Sequence, residues 1–401
     1  ANSVCHNIRN GSSDSGYLFH TRDLAAAVRA SGKIAGYSSV EESKLTEANN
    51  AREKIISDRL RLAIFAAASS TERAKNFAPF QVYVRKQRAP SATEFSAAVA
   101  KALAATHKLA FLQGNIAEFI ILTATAYGTS TTNGCLEDAA GSTVIKGVNK
   151  LPKCGLKAVE PSAENTAGNK LKSAEMFAKL TAAAGASAPA ASMTVNCPLS
   201  HRTGTSIVKA ETLQESLMMA GGYLYTDHSG GDAMIKLQTT IAAPGTETGP
   251  PAYKEAYEAA YASEAARLST EYNRKDPTQA ENDKEAQKAH KLYIQCDPTE
   301  FNEATDAAAE KSSLTSLYKS TDADRNSKTW KIIDAMPIPK SIFTTEKNGN
   351  QNLGSITDIN DLLTILEHYS ITNRVADAKT IEPMRKAAEV AFKKTKTAEE
   401  K

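Results

Sequence analysis

Apolar positions recur every three or four residues through the first third of the chain. Leu24 and Val28 stand four apart, and Ile56, Leu60 and Ile64 repeat that step with Asp58, Arg59 and Arg61 turned away from them. Such spacing lays an apolar stripe along one helix face, so helix is expected from Leu18 to Ala78. Gly32, Gly36 and Ser38-Ser39 weaken the pattern and mark an interruption. Pro79 and the run Arg88-Ala89-Pro90-Ser91 disfavour a continuing helix.

A second long helix is expected from Ser91 to about Tyr127. Ser91 with Glu94 three residues on has the form of a capping box. Leu109, Leu112, Ile116, Phe119 and Thr123 then alternate steps of three and four, the coiled-coil rhythm. Two long helical stretches joined by a short, proline-marked turn favour an antiparallel pair. Such a pair makes an elongated domain.

The texture changes at residues 128–250, which are rich in Gly, Thr, Ser, Asn and Pro and hold Cys135, Cys154 and Cys197. This reads as a loop-rich lobe that disulfides must hold. Val144-Ile145 and Tyr223-Leu224-Tyr225 read as short strands, and 205–220 as a helix ending at Gly221-Gly222. Beyond Pro250-Pro251, an alanine- and charge-rich helical stretch is expected over 252–295, with shorter helices over 301–319 and 328–336. Leu362-Leu363 with Ile365-Leu366 anchors another, and 374–398 reads as a polar final helix. The predicted fold is mainly α: an elongated antiparallel two-helix coiled coil with additional helices and a disulfide-stapled, loop-rich lobe containing short strands. It divides into a leader (1–17), a helical hairpin (18–127), a distal lobe (128–250), a helical lower part (251–390) and a linker (391–401).

Composition narrows the function classes. The 48 basic and 45 acidic residues are intermixed and leave a net charge of +3, so nucleic acid binding has little support. No apolar run approaches the roughly 20 residues of a membrane span. The opening Ala1-Asn2-Ser3-Val4-Cys5 lacks an initiator methionine and reads as a processed start, while the tail from Lys393 to Lys401 reads as a linker to a further domain. Asn10-Gly11-Ser12 is an N-glycosylation sequon in a polar leader, which makes Asn10 the expected glycan site of a surface or secreted protein.

Catalytic signatures are missing from the sequence. It holds no zinc-binding HExxH, no GxSxG elbow and no phosphate-cradling glycine loop. Asp227-His228-Ser229 contains the residue types of a relay, but consecutive residues cannot form one. His201-Arg202 reads as surface loop, and Glu41-Glu42 as a solvated helix face. No enzyme activity, cofactor or metal is expected. The five cysteines, Cys5, Cys135, Cys154, Cys197 and Cys296, are widely spaced and contain no CxxC pair, which argues for disulfides over zinc. Four of them would close loops between leader, lobe and helix ends. Cys296 is left over and reads as a buried, inert thiol in preference to one that pairs outside the domain.

The order of these features resembles the class A amino-terminal domain of trypanosome variant surface glycoproteins. The resemblance lies in a leader cysteine, two long helices, then Gly134-Cys135-Leu136 with Cys154 and Cys197 following. Thr71-Glu72-Arg73-Ala74-Lys75 also resembles that family. So do Ala220-Gly221-Gly222-Tyr223-Leu224, Leu353-Gly354 and Ile365-Leu366-Glu367-His368-Tyr369. Gln113-Gly114-Asn115-Ile116-Ala117-Glu118-Phe119 is similar to a G-R-I-E-E segment, with Asn115 in place of the basic residue.

The resemblance implies bridges Cys5–Cys154 and Cys135–Cys197, with Cys296 a departure from the four-cysteine pattern. It implies a homodimer and a separate carboxy-terminal domain, with a glycosylphosphatidylinositol (GPI) anchor as the only membrane attachment. The implied function is a structural surface coat that shields the parasite membrane and undergoes antigenic variation for immune evasion, with host antibodies meeting the distal lobe. The implied location is the extracellular face of the plasma membrane. The rival reading is a receptor on the same scaffold that binds a host serum protein, transferrin or a lytic factor.

Overall fold

The computed structural model describes residues 19–130, 133–138, 143–151, 154, 156–157, 172–183, 197, 199, 215–227, 234–238, 241, 249–266, 268–318, 325–343 and 349–399. These residues are mainly helical. The helices are α1 (Thr21–Ile34), α2 (Tyr37–Ala68), α3 (Thr71–Arg85), α4 (Ala92–Thr125), α5 (Ser173–Ala183) and α6 (Pro251–Ala265). They continue with α7 (Lys284–Tyr293), α8 (Glu303–Tyr318), α9 (Arg325–Asp334) and α10 (Ile359–Glu399). The chain divides into two compact units, residues 1–48 with 91–269 and residues 49–90 with 270–401.

In the first unit α4 packs on α6 and α1. The Ser91 hydroxyl accepts from the Glu94 amide, and the Glu94 carboxylate accepts from the Ser91 amide, which starts α4 with two otherwise orphan N–H groups satisfied. The coiled-coil seam Leu109, Leu112, Ile116, Phe119 and Thr123 is buried. Facing residues of α6 are Tyr253, Ala256, Tyr257 and Ala260, where alanines admit close backbone approach between the tyrosines. Pro251 opens α6 in the first turn, where a missing N–H costs nothing. From α5, Phe177 lays its ring edge on Tyr257 at 5.4 Å. Strand β1 (Phe19–His20) pairs in parallel with β2 (Leu136–Glu137). Strands β3 (Met218–Met219), β4 (Leu224–Asp227) and β5 (Met234–Leu237) form an antiparallel sheet with Leu224 opposite Leu237.

The core of the second unit gathers Leu62, Ile64, Phe80, Leu314, Trp330, Leu353, Leu362 and Ile365. Trp330 meets Phe80 edge-on at 5.5 Å. The short strands β6 (Pro337–Ile338) and β7 (Gln351–Asn352) pair antiparallel beside α9.

Several expectations are corrected. The buried stripe of α2 runs through Ile55, Asp58, Leu62 and Phe65, so Asp58 faces inward with 3% exposure. The helix break falls at Ser69-Ser70, and Pro79 sits inside α3. Glu41 is buried and accepts from the Ser263 hydroxyl at 2.9 Å, while Glu42 is exposed. Val144 makes one bridge to Glu137 rather than a strand.

Helix does not extend to residue 220. Met218 and Met219 pair with β4, and Gly221 and Gly222 follow at φ of +69° and +96°, which halts any helix there. Residues 205–214 of that expected helix lie outside the described residues. The run 252–295 is broken between Ala265 and Pro277, where Tyr272 and Arg274 turn inward to Asp58. The final helix starts at Ile359, because no breaker separates Leu366 from Arg374. Cys296 is exposed; it stands just past α7 at φ +56°, a left-handed position that directs the chain away from the helix.

Candidate functional site

Cys135, Cys154 and Cys197 lie in the core of the first unit. Cys135 and Cys197 are joined by a disulfide with their Cα atoms 4.4 Å apart. Cys154 is also disulfide-bonded and buried, to a partner outside the described residues. Cys5 and Asn10 lie outside the described residues, as do His201, Arg202, His228 and Ser229.

Local chemistry fixes Cys135 in place. A Cβ on the preceding Gly134 would come within 2.2 Å of Val144 Cγ1, so only glycine allows the two segments to touch. The Cys135 amide donates to the Ala126 carbonyl at 3.0 Å, just past the end of α4. Lys146 donates from its ammonium to the carbonyls of Gly128, Thr129 and Ser130 at 3.2, 3.3 and 2.9 Å. One cation thereby gathers the turn that α4 leaves behind. Nearby, Tyr253 of α6 donates its hydroxyl to the Ala220 carbonyl at 3.0 Å and secures the glycine turn before β4. The disulfide, the glycine contact and the lysine together hold short loops on a helical platform.

The second unit contains a charge network. Asp58 accepts from the hydroxyl of Tyr272, from Arg61 Nη1 at 3.3 Å and from Arg274 Nε at 3.1 Å. Arg274 also forms a two-pronged pair with Asp334 at 2.6 and 2.8 Å, and its guanidinium lies 3.8 Å over the Trp330 ring. Burial alone would lower the Arg274 pKa, but the Asp334 and Asp58 carboxylates more than offset it and hold the group above its ordinary value. Burial, then the bond to Asp58, raises the Tyr272 pKa, so its hydroxyl stays a donor. A cleft of about 480 Å³ opens here between Asn50, Lys54, Ser57 and Asp58 of α2 and Tyr272 and Thr357. Asp58, Arg61 and Arg274 in its lining pair with one another, which is the chemistry of a structural clamp.

A smaller clamp ties α7 to α8. His290 Nδ1 lies 2.5 Å from Glu310 Oε2, and both side chains are buried. Lys291 pairs with Asp306 at 2.6 Å, and that bond, with the Asn302 amide behind it, lowers the Asp306 pKa to about 2. Among the described residues, no group of three or more His, Cys, Asp or Glu side chains is placed to hold a metal ion. No described helix is long and apolar enough to cross a membrane.

Sequence reasoning missed both clamps. Asp58 had a signal, since Ile55, Asp58, Leu62 and Phe65 step three, four and three along α2. Arg274 and Asp334 had none, because their meeting depends on the irregular segment before Pro277.

The A-type family of trypanosome variant surface glycoproteins matches the chain over residues 30–370. Variant surface glycoprotein MITAT 1.6 of Trypanosoma brucei brucei is 26% identical over 326 residues, covering 78% of this chain. The chain spans 61% of that relative's length. The solved structure of MITat 1.1 is similar at a TM-score of 0.59 and 18% identity, over 92% of this chain and 100% of that one. At that identity the likeness is one of fold.

Proposed function

This chain belongs to the A-type family of trypanosome variant surface glycoproteins, a family of surface coat proteins, and on that premise we propose that it is the amino-terminal domain of a coat that shields the parasite membrane. The observation that carries the reading is the family match across residues 30–370, which takes in both α4 and the disulfide-held loops beyond it. Change confined to loops that rest on a stapled helical platform alters what an antibody meets while leaving the packed helices intact. Antigenic variation and immune evasion follow from that division of labour.

The finer assignments belong to the same proposal. The chain is one amino-terminal domain with its loop-rich lobe over 128–250 and a linker from 391. A second bridge joins Cys5 to Cys154, and Asn10 carries a glycan. The protein is a homodimer, held at the outer face of the plasma membrane through a GPI anchor on a downstream domain. Its role is structural and it catalyses no reaction.

Release from living cells tests the anchor and the location. Phosphatidylinositol-specific phospholipase is expected to free the full-length protein into the medium, and retention after cleavage would contradict the anchor. Incubation with host serum separates the coat from a receptor. Saturable, stoichiometric capture of one serum protein would favour the receptor.

A further inference from the structure

The clamp around Asp58 uses only part of the lining of its cleft of about 480 Å³. Asn50, Lys54, Ser57 and Arg61 follow in steps of four, three and four along α2, so they share one wall. Arg61 Nη2 donates to the Gly354 and Ile356 carbonyls at 3.3 and 2.9 Å, which fixes the segment that brings Thr357 into the lining. Tyr272, tied through its hydroxyl to Asp58, is the one aromatic residue there. The walls are therefore set before any ligand arrives, and a preorganised wall lowers the cost of binding.

The groups outside the clamp are unspent. Thr123, Thr315, Ser316 and Ser370 return their hydroxyls to the carbonyl four residues before. Ser57 does not. It is 6% exposed, it lines the cleft, and its hydroxyl has no hydrogen-bond partner among the described residues. A hydroxyl withdrawn from bulk water without a partner is costly unless something in the cleft bonds it. The charges divide in the same way. Asp58 is shared by Arg61 and Arg274, Arg274 also holds Asp334, and Glu53 accepts from Asn49 at 2.8 Å. Lys54 is the exception: its ammonium lies 5.8 Å from the centroid of the Tyr272 ring and forms no ion pair among the described residues.

We propose that this cleft binds a monosaccharide carrying one acid group, a carboxylate or a phosphate. Lys54 supplies the cation for the acid group. Ser57, with Asn50 and Thr357 on the same cleft, meets the sugar hydroxyls, and the Tyr272 ring receives the C–H face of the sugar. The volume lies within the range of about 300–1,000 Å³ typical of small-molecule sites. An apolar ligand would leave the polar walls unsatisfied, which selects against it. The proposal goes beyond the coat reading and stands or falls apart from it.

Isothermal titration calorimetry on the whole chain tests the proposal. The probes are glucuronate and glucose 6-phosphate, with glucose and inorganic phosphate as controls. Both acid sugars are expected to bind saturably, each about tenfold or more tighter than either control. Lys54→Met is expected to remove the advantage over glucose, and Ser57→Ala to weaken both acid sugars about fivefold. Lys54 is exposed and Ser57 gives up an unbonded hydroxyl, so both variants are expected to melt with the parent. No saturable heat from either acid sugar would overturn the site, as would binding unchanged in both variants. Phosphate binding as tightly as glucose 6-phosphate would overturn the sugar, and glucose binding as tightly as glucuronate would overturn the acid group.

Discussion

The Tyr318 hydroxyl of α8 stands in for a missing helix bond beside Phe80 of α3. It accepts from the Phe80 amide at 3.2 Å and donates to the Asn76 carbonyl at 2.8 Å, the two groups that an unbroken helix would join directly. Pro79 is the cause, since its ring forces the chain away from the preceding turn. Burial raises the Tyr318 pKa, so the hydroxyl keeps the proton it donates.

Tyr318→Phe would leave the Phe80 amide and the Asn76 carbonyl without their partner in the core. The expected loss is about 1–3 kcal/mol, the cost of unsatisfied buried polar groups. Urea unfolding checks it: the midpoint falls with the slope unchanged. A midpoint equal to the parent's would mean that α3 closes its own ladder.

The Asp58–Arg274–Asp334 clamp depends on the shape of the guanidinium as well as its charge. Arg274→Lys keeps the charge but loses the two-pronged bond to Asp334 and the stack on Trp330. A loss of about 2 kcal/mol is expected, and about 3 for Arg274→Met, which leaves Asp58 and Asp334 short of a partner. Chemical unfolding of both variants checks the order, and a lysine variant as stable as the parent would contradict it.

The α7–α8 clamp has a pH signature. Asp306 is lowered to about 2 in the folded chain, against about 3.9 when unfolded. The unfolded state therefore binds the proton first. The stability Asp306 contributes is fully present above about pH 4 and is lost as pH falls toward 2. Asp306→Asn is expected to lower stability at neutral pH and to reduce the steepness of its loss across that window. Thermal midpoints at stepped pH read this directly, and parallel curves for variant and parent would refute it.

The Cys135–Cys197 bond closes a separation of 62 residues. On the chain-entropy account such a loop contributes about 4 kcal/mol, so the Cys135→Ser, Cys197→Ser double variant should unfold at a markedly lower temperature. Cys296 should alkylate in the native protein without reductant, since it is free and exposed. Protection of Cys296 in the folded chain would contradict its placement.

What could be read from the sequence follows from range. The Ser91–Glu94 capping box and the Leu109-to-Thr123 seam depend on residues within two turns of each other, and both stand as the pattern predicts. Pro79 reads locally as a helix breaker, but the group that rescues its helix, Tyr318, is 242 residues from the carbonyl it bonds. The charge of Asp58 points to solvent and its place in the Ile55–Leu62–Phe65 stripe points inward; the place prevails because Arg274, from a loop with no period, meets the carboxylate there. A spare cysteine is usually buried, yet Cys296 takes a left-handed conformation just past α7 and is exposed.

Quantitative surface biotinylation of the living cells that express this chain tests the central claim most directly. A coat that shields the membrane must be the dominant labelled protein on the cell, packed densely enough that smaller surface proteins label weakly beneath it. That is the result expected here. A sparse or intracellular protein, with the rest of the surface labelling freely around it, would contradict a coat.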